Sequence, residues 1–445
     1  MGMPFIPNTE QQQQEILQTL GLKSFDDLIT EVPESIRFKG EFSLPDPLSE
    51  LEAFRLLKSM AKANKNIDDY ACFLGGGAYD HYAPAAIDHI ISRPEFYTAY
   101  TPYQPEVSQG TLQAAFEYQT MICELTGMDV TNASLYDGGT ALAEAALLAH
   151  RNSRNCDHLL ISKGINPNYH RIIETYCRGQ GIELKEIPLT TGLITDVEKL
   201  KSLISQSTCG VIVQHPNYFG NLEEVFETDK IIHSTNALYI VSVDPISLGI
   251  LVPPGNYNAD IVTGEGQVLG NSLSFGGPYL GLFSVKKELI RRMPGRVIGE
   301  TVDSEGRRGF VMTLQTREQH IRREKATSNI CTNQALNTLV ATIYLSLLGK
   351  RGIREVAEQS LQRSHYLADQ IANLPNFSLL NSGHFFKEFV VSCPVPAREV
   401  IGKLKKQNVF AGIDLGKTDK TRENQLLVAV TEKRTKEEMD RYVAG

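Results

Sequence analysis

The chain has 445 residues, 42% of them apolar and 22% charged, which is enough for one large domain and a smaller one, each with its own core. Its 52 acidic residues exceed its 44 basic ones, and the net charge of -8 argues against sequence-independent binding to nucleic acid. The longest mostly apolar stretch, residues 338–348, is shorter than the roughly 20 residues that a membrane span needs. We therefore expect a folded chain that binds neither nucleic acid nor a membrane.

Cysteine and histidine usage predicts a cytoplasmic protein without a metal site. The seven cysteines are widely spaced and form no CxxC pair, which predicts reduced thiols. The ten histidines show neither an HExxH motif nor a clustered Cys/His pattern, so no metal is expected. The polar first 14 residues lack the basic and apolar regions of a secretory signal, which also favours the cytoplasm.

Residues 1–65 predict an N-terminal helical arm. Thr9 and Gln12 fit a capping box at the start of one helix. A second helix is predicted after Pro47, and its apolar side chains recur every three residues: Leu48, Leu51, Phe54, Leu57 and Met60. We expect this apolar face to be buried, either against the body of the protein or against a partner.

Residues 66–348 alternate between short apolar runs and helical stretches with one polar face. The predicted strands are 158–161, 211–214, 238–243, 261–263 and 279–285, and the predicted helices are 168–178, 196–206 and 223–235. Apolar runs of this kind suit strands that are covered on both faces. The pattern predicts a large α/β domain with a mainly parallel sheet, in which the glycine- and proline-rich stretch 294–309 is an inserted loop.

Residues 349–445 predict a smaller C-terminal α/β domain. A long helix is expected over 332–348, at the end of the large domain. A glycine-rich turn follows it, and a second helix is expected over 353–374. Beyond them, strands are predicted at 389–393 and 425–430, and helices at 397–407 and 435–442. An arm, a large α/β domain and a small one form the layout of many pyridoxal-phosphate (PLP) enzymes, but layout alone does not establish chemistry.

One candidate anion site precedes a predicted helix in the large domain. It consists of Asp137, Gly138, Gly139 and Thr140. Free backbone N–H groups and the positive end of the helix dipole favour an anion there, and a PLP phosphate is one candidate ligand. A tight turn with an ordinary helix cap is the alternative.

Asp244 ends a predicted apolar strand, at the edge where open α/β sheets bind ligands. In a PLP enzyme this aspartate would pair with the protonated pyridine nitrogen, and a cap or turn role is the alternative. The lysine that holds PLP covalently would follow about 23 residues later. No lysine occurs between Lys230 and Lys286, so this strand end cannot bind PLP covalently.

Two further segments are candidates for contact with other molecules. The proline-bounded stretch 97–110 is dense in tyrosine, amide and carboxyl groups, which is typical of a binding surface, although a rigid connector with packed tyrosines is the alternative. Arginines crowd the stretch 291–325 in an otherwise acidic chain, which favours a subunit interface.

Long strings in the sequence resemble the glycine cleavage system P-protein family. Among them are FYTAYTPYQPEVSQG from residue 96, VQHPNYFG from residue 213 and GEGQVLGNSLSFGGPYL from residue 264. The resemblance covers essentially the whole chain and is to subunit 1 of the form in which two subunits share the enzyme. It implies a PLP-dependent transferase of fold type I, similar to aspartate aminotransferase. The implied activity is glycine dehydrogenase (aminomethyl-transferring), which decarboxylates glycine and passes the aminomethyl group to the lipoyl arm of H-protein.

The resemblance also implies that PLP is held by the partner, subunit 2, which carries the Schiff-base lysine. Gln267 stands about where that lysine would be expected. The chain's own PLP site is therefore expected to be degenerate, and it comprises Asp137, Gly138, Gly139, Thr140, Asp244 and Gln267. The assembly implied is a heterodimer or a heterotetramer.

Because the active site of this fold type lies at a dimer interface, the resemblance implies that this chain completes the partner's site. Tyr100, Tyr103 and Glu106 are the expected catalytic contributors. The expected contacts to the partner's cofactor are Thr101, Gln104, Arg323, Thr327 and Ser328.

Two alternatives stay open. A free-standing PLP enzyme that uses another lysine would show a cofactor band in the isolated chain. A non-catalytic scaffold would tolerate substitutions in the Tyr100 loop.

Overall fold

The computed structural model describes residues 7–153, 156–381 and 383–445. The chain divides into two units, Met1–Lys65 and Asn66–Gly445. The further division of the second unit at residue 348 stays a prediction.

The first unit consists of short helices without a buried core: α1 (Glu10–Thr19), α2 (Phe25–Leu28) and α3 (Glu50–Ala61). The capping box of Thr9 and Gln12 at the start of α1 is confirmed. No residue from 7 to 65 is buried. The apolar stripe of α3 is exposed as well, with Leu51 at 58% and Phe54 at 62%.

The second unit is built around a seven-stranded sheet. The strands up to residue 285 are β1 (Ala71–Cys72), β2 (Val130–Thr131), β3 (His158–Ser162), β4 (Glu183–Ile187), β5 (Thr208–His215), β6 (Leu238–Val243), β7 (Ile261–Glu265) and β8 (Gly281–Val285). The sheet order is β2-β8-β7-β6-β5-β3-β4. Strands β4, β3, β5, β6 and β7 are parallel, whereas β8 runs antiparallel to β7 and β2. The expected mainly parallel sheet is confirmed.

Helices cover both faces of this sheet. They are α4 (Ala86–Ile91), α5 (Pro94–Tyr97), α6 (Gln109–Thr126), α7 (Gly138–Asn152), α8 (Pro167–Gln180), α9 (Val197–Leu203) and α10 (Val225–Ile232). Neighbouring side chains of one strand point to opposite faces. Ile161 therefore packs in one core cluster with residues of α7 and α8, whereas Leu160 packs in another with residues of α9 and α10.

The prediction of an inserted loop at 294–309 is wrong. Strands β9 (Val297–Val302) and β10 (Arg308–Thr313) form an antiparallel hairpin there, and the short helix α11 (Gln319–Arg322) follows. Gly306 adopts a φ of 79° in the turn. The strand pair was not predicted because glycines and prolines lie beside it. Alternate side chains of the pair, such as Phe310 and Met312, are nevertheless buried.

The chain ends in a four-stranded sheet with helices packed against it. Its elements are α12 (Ala335–Ala372), β11 (Ser378–Leu379), β12 (Glu388–Ser392), α13 (Ala397–Lys405), β13 (Val409–Phe410), β14 (Ile413–Asp414), β15 (Gln425–Ala429) and α14 (Lys436–Ala444). The order is β11-β12-β15-β14, and β13 pairs with β1. Gly349 interrupts α12 with a φ of 58°, where the glycine-rich turn was predicted. No helix in the described part of the chain is long and apolar enough to cross a membrane.

The expectation that all cysteines are reduced thiols is wrong for two of them. Cys156 precedes β3, Cys209 lies in β5, and the two form a disulfide. They are far apart in sequence, but β3 and β5 are neighbours in the sheet, which brings them together. His150 lies beside them, with the ligand atoms of the three residues within 4.8 Å of one another. A metal would require both sulfurs as thiolates, so the disulfide form offers only His150 as a ligand.

Candidate functional site

A pocket lies at the carboxyl ends of β6 and β7, where the C-terminal sheet approaches the large one. Asp244 directly follows β6, and Glu265 is the last residue of β7. Neighbouring parallel strands end at the same edge of a sheet, so their terminal side chains converge. From the C-terminal sheet, Lys387 and Glu388 reach the same pocket.

Gln267, at the position where a PLP lysine would be expected, is bound to the chain's own backbone. Its Oε1 accepts a hydrogen bond from the Tyr79 N–H at 2.9 Å. Its Nε2 donates to the carbonyl oxygens of Tyr79 at 3.1 Å and Asn271 at 2.8 Å. The side chain is buried, with 2% of the residue exposed. Gln267 therefore holds the segment around Tyr79 in place.

Asp244 is paired with a lysine that the sequence analysis missed. The ammonium of Lys387 lies 2.6 Å from Asp244 Oδ2 and 2.9 Å from His81 Nε2. Because His81 Nε2 accepts from Lys387, its Nδ1–H donates to Glu432, at 2.5 Å. Burial lowers the pKa of His81, and the Lys387 ammonium lowers it further, which keeps the imidazole neutral.

The candidate anion site at the start of α7 is closed by carboxylates of the same chain. Asp137 and Thr140 form a capping box, in which the Thr140 N–H donates to Asp137 Oδ1 at 2.9 Å. The Gly138 N–H donates to Glu265 Oε2, also at 2.9 Å. A Cβ on Gly139 would come within 2.7 Å of Ile172. Close packing thus accounts for a glycine at this position without a ligand.

Two buried glutamates at the pocket have strongly raised pKa values. Burial raises the pKa of Glu265 to about 8, against the opposing effect of three backbone N–H donors. Burial likewise raises the pKa of Glu388 to about 7. Glu388 accepts hydrogen bonds from the Tyr79 hydroxyl at 2.6 Å and from the Gly76 N–H at 2.7 Å. These contacts join the C-terminal sheet to the segment that Gln267 holds.

The pocket does not fit PLP. The cavity left between the side chains has a volume of about 30 Å³, which is room for a few water molecules. The carboxylate that would bind a pyridine nitrogen is occupied by Lys387, and an N–H group that would bind a phosphate is occupied by Glu265. A cofactor would have to displace both side chains.

The residues predicted to contribute to a partner's active site form a second group, on the loop before α6. Tyr100 is 77% exposed and Tyr103 is 50% exposed. The Tyr103 ring packs edge-to-face against His320, with ring centroids 5.7 Å apart. The Arg296 guanidinium lies 5.8 Å from the centroid of the Tyr103 ring. No hydrogen bond within the described residues uses the side chain of Tyr100, Tyr103 or Glu106. Thr101 and Gln104 belong to the same loop.

The basic segment after β10 contains both buried and exposed arginines. Arg317 is buried and donates to the backbone carbonyls of Met293 and Gly295, so it is not available to a ligand. Arg323 is exposed. Thr327 and Ser328 are half-buried, and the Thr327 carbonyl accepts from Arg151. None of Arg317, Arg323, Thr327 and Ser328 lines the Asp244 pocket.

The sequence contains a feature that could have predicted a buried ionic contact at Lys387. Lys387 and Glu388 interrupt a run of aromatic and β-branched residues, 385–391, and directly precede the strand predicted at 389–393. Charged residues are seldom fully buried unless they are paired. Two of them inside an apolar run indicate a buried ionic contact, although not its partner.

Comparison with known structures gives the class of the protein. A glycine decarboxylase (P-protein) of the glycine cleavage system, crystallised in inhibitor-bound form, superposes with a TM-score of 0.92 at 40% identity and covers 99% of both chains. A C-DES mutant with glycine covalently linked to its PLP cofactor gives a TM-score of 0.63 at 16% identity, over 86% of this chain and 97% of that one, which shows the fold. The fold is that of the PLP-dependent enzymes of fold type I.

Sequence comparison gives the family. Residues 3–444 match the family described as glycine cleavage system P-protein. A relative from Chloroherpeton thalassium is 56% identical over 99% of this chain and 98% of its own length, and one from Bacillus cereus strain B4264 is 51% identical over the same shares. Both are named probable glycine dehydrogenase (decarboxylating) subunit 1. The chain belongs to the glycine cleavage system P-protein family, as subunit 1 of the enzyme, and the resemblance seen in the sequence is confirmed.

Proposed function

We propose that this chain completes the active site of a partner, subunit 2, that holds PLP, and that it does not hold PLP itself. The pair decarboxylates glycine and passes the aminomethyl group to the lipoyl arm of H-protein. The observation that carries the proposal is Gln267. It stands where a lysine is needed, its amide is bound to the chain's own backbone, and an amide cannot form the covalent link.

Lys387 does not offer a substitute for the missing lysine. Its ammonium is ion-paired with Asp244, the residue that would have to be free for a pyridine nitrogen. A lysine in this position competes with the cofactor ring for the same carboxylate. This arrangement supports a chain without its own PLP over a free-standing PLP enzyme.

The loop with Tyr100, Tyr103 and Glu106 is the part of the chain that we propose reaches the partner. Its phenol and carboxyl groups are exposed and make no hydrogen bonds within the described residues, so they are free to bind another molecule. Arg323, Thr327 and Ser328 are proposed to lie near the partner's cofactor, together with Thr101 and Gln104. Bound PLP supplies an electron sink for decarboxylation. This loop would position glycine and exclude water.

The test is a comparison of this chain, subunit 2 and their mixture. Glycine-dependent exchange of labelled bicarbonate is expected only in the mixture, and the PLP absorption band is expected to follow subunit 2. Activity together with a cofactor band in this chain alone would overturn the proposal. Exchange by subunit 2 alone at the rate of the mixture would overturn it too.

Substitution of the loop tests its role directly. Tyr103→Ala and Glu106→Ala are each expected to lower the kcat/KM for glycine by about tenfold or more, because positioning groups act through geometry. Association with subunit 2, measured by analytical ultracentrifugation, is expected to be unchanged. Glu174→Ala, an exposed glutamate on α8, is the matched control and is expected to keep full activity. Unchanged activity in both loop variants would favour a scaffold role.

A further inference from the structure

We propose that the side chains of Lys387 and Glu265 are built-in substitutes for the pyridine ring and the phosphate of a PLP molecule. Lys387 supplies the cation at Asp244, and the Glu265 carboxyl group accepts a hydrogen bond from the N–H group at the start of α7. The pocket is thereby closed by the chain's own side chains and serves to fasten the C-terminal sheet to the large sheet. This inference deepens the proposed function and rests on it only for the assignment of the cofactor to the partner.

The cationic end is defined by the surroundings of the Lys387 ammonium. Lys387 is 1% exposed. Its Nζ lies 2.6 Å from Asp244 Oδ2, 2.9 Å from His81 Nε2 and 3.6 Å from the centroid of the Tyr79 ring. A carboxylate, a neutral imidazole and an aromatic face are all favourable neighbours for a desolvated cation. In a PLP enzyme, the protonated pyridine nitrogen would take the place of this ammonium beside the aspartate.

The phosphate end is defined by the backbone donors around the Glu265 carboxyl group. Its Oε2 accepts from the Gly138 N–H at 2.9 Å, at the first turn of α7. Its Oε1 accepts from the Gln267 N–H at 2.9 Å and the Leu280 N–H at 3.1 Å. Helix N-termini favour anions through their free N–H groups and the helix dipole. Glu265 therefore uses the donor that a phosphate would need.

The ion pair of Lys387 and Asp244 also connects parts of the second unit. Asp244 follows β6 of the large sheet, whereas Lys387 directly precedes β12 of the C-terminal sheet. Glu388, the next residue, is bonded to Gly76 and Tyr79. Removing one partner of a buried ion pair leaves an uncompensated charge. We therefore expect the loss of Lys387 to destabilise the contact between the two sheets.

The test uses the full-length chain and small cations. Lys387→Ala removes the ammonium and leaves Asp244 facing a cavity. We expect the Tm of this variant to fall by several degrees and to rise again with added pyridinium chloride, by mass action. The wild type is expected to show no rise with pyridinium. It is also expected not to bind pyridoxine 5′-phosphate, which cannot react with surface lysines, at micromolar concentrations.

A matched variant distinguishes the loss of the cation beside Asp244 from the loss of any buried ion pair in this region. Lys433→Ala removes another ion pair of the same sheet region, with Asp80 at 2.6 Å, and pyridinium is expected not to raise its Tm. If Lys387→Ala does not fold, Lys387→Met combined with Asp244→Asn removes both charges and is expected to restore a Tm close to that of the wild type.

Three outcomes would overturn the inference. They are an unchanged Tm in Lys387→Ala, a lowered Tm that pyridinium does not raise, and micromolar binding of pyridoxine 5′-phosphate to the wild type. None of these readouts uses glycine turnover. A failure of the proposed function in the mixing experiment would therefore be seen separately.

Discussion

Replacing Asp80 with asparagine is expected to lower the free energy of unfolding by about 3 kcal/mol, because the buried Arg434 keeps only the more distant carboxylate of Glu438, at 3.5 Å. Asp80 is 3% exposed, and its carboxylate lies 2.8 Å from Arg434 and 2.6 Å from Lys433. Arg434 is itself only 4% exposed. Asparagine keeps the size of the side chain but not its charge, so the guanidinium loses its nearest counter-ion. Urea unfolding followed by circular dichroism measures the loss.

An exposed ion pair provides the control for this prediction. Asp303 lies 2.7 Å from Arg307 on the β9–β10 turn, where both side chains are in contact with solvent. Pairs of this kind contribute about 0–1 kcal/mol. Asp303→Asn is therefore expected to change the unfolding free energy by less than about 1 kcal/mol. Equal effects of the two substitutions would contradict the assignment of a structural role to the Asp80 pair.

The large sheet could be predicted because its strands carry a strong local signal. β6 lies where the apolar run 238–243 placed it, and β3, β5 and β7 extend their predicted runs by a few residues. β4 was missed, since it is a partly exposed edge strand with the polar sequence ELKEI. The hairpin of β9 and β10 was missed because glycines and prolines next to it dominated the pattern.

The candidate site could be predicted only in the parts that one stretch of sequence defines. Asp244, the absent lysine and Gln267 follow from spacing and from the family resemblance. The ion pair of Asp244 with Lys387 does not, because it depends on how two distant sheets approach each other. The disulfide of Cys156 and Cys209 could not be predicted for the same reason, since the order of the strands in the sheet decides which cysteines meet.

Polar substitutions on the apolar face of α3 are expected to weaken association with the partner subunit by roughly a hundredfold or more. The triple variant Leu51→Ser, Phe54→Ser and Leu57→Ser removes side chains that are 58%, 62% and 64% exposed in this chain. Burying such side chains contributes about 1 kcal/mol or more each, and about 1.4 kcal/mol corresponds to a factor of ten in affinity. Analytical ultracentrifugation of the mixture measures the change.

Charged residues in α3 and at its C-terminal end provide the control for this prediction. Arg55→Ser and Lys62→Ser change exposed charged residues of the α3 region, and they are expected to leave the dissociation constant within about threefold of the wild type. No residue from 7 to 65 is buried, so the first unit has no core of its own to lose. If the triple variant instead lowered the Tm of the isolated chain and left association unchanged, the stripe would pack on this chain's own body. Reduced association at an unchanged Tm identifies the partner subunit as the surface that covers it.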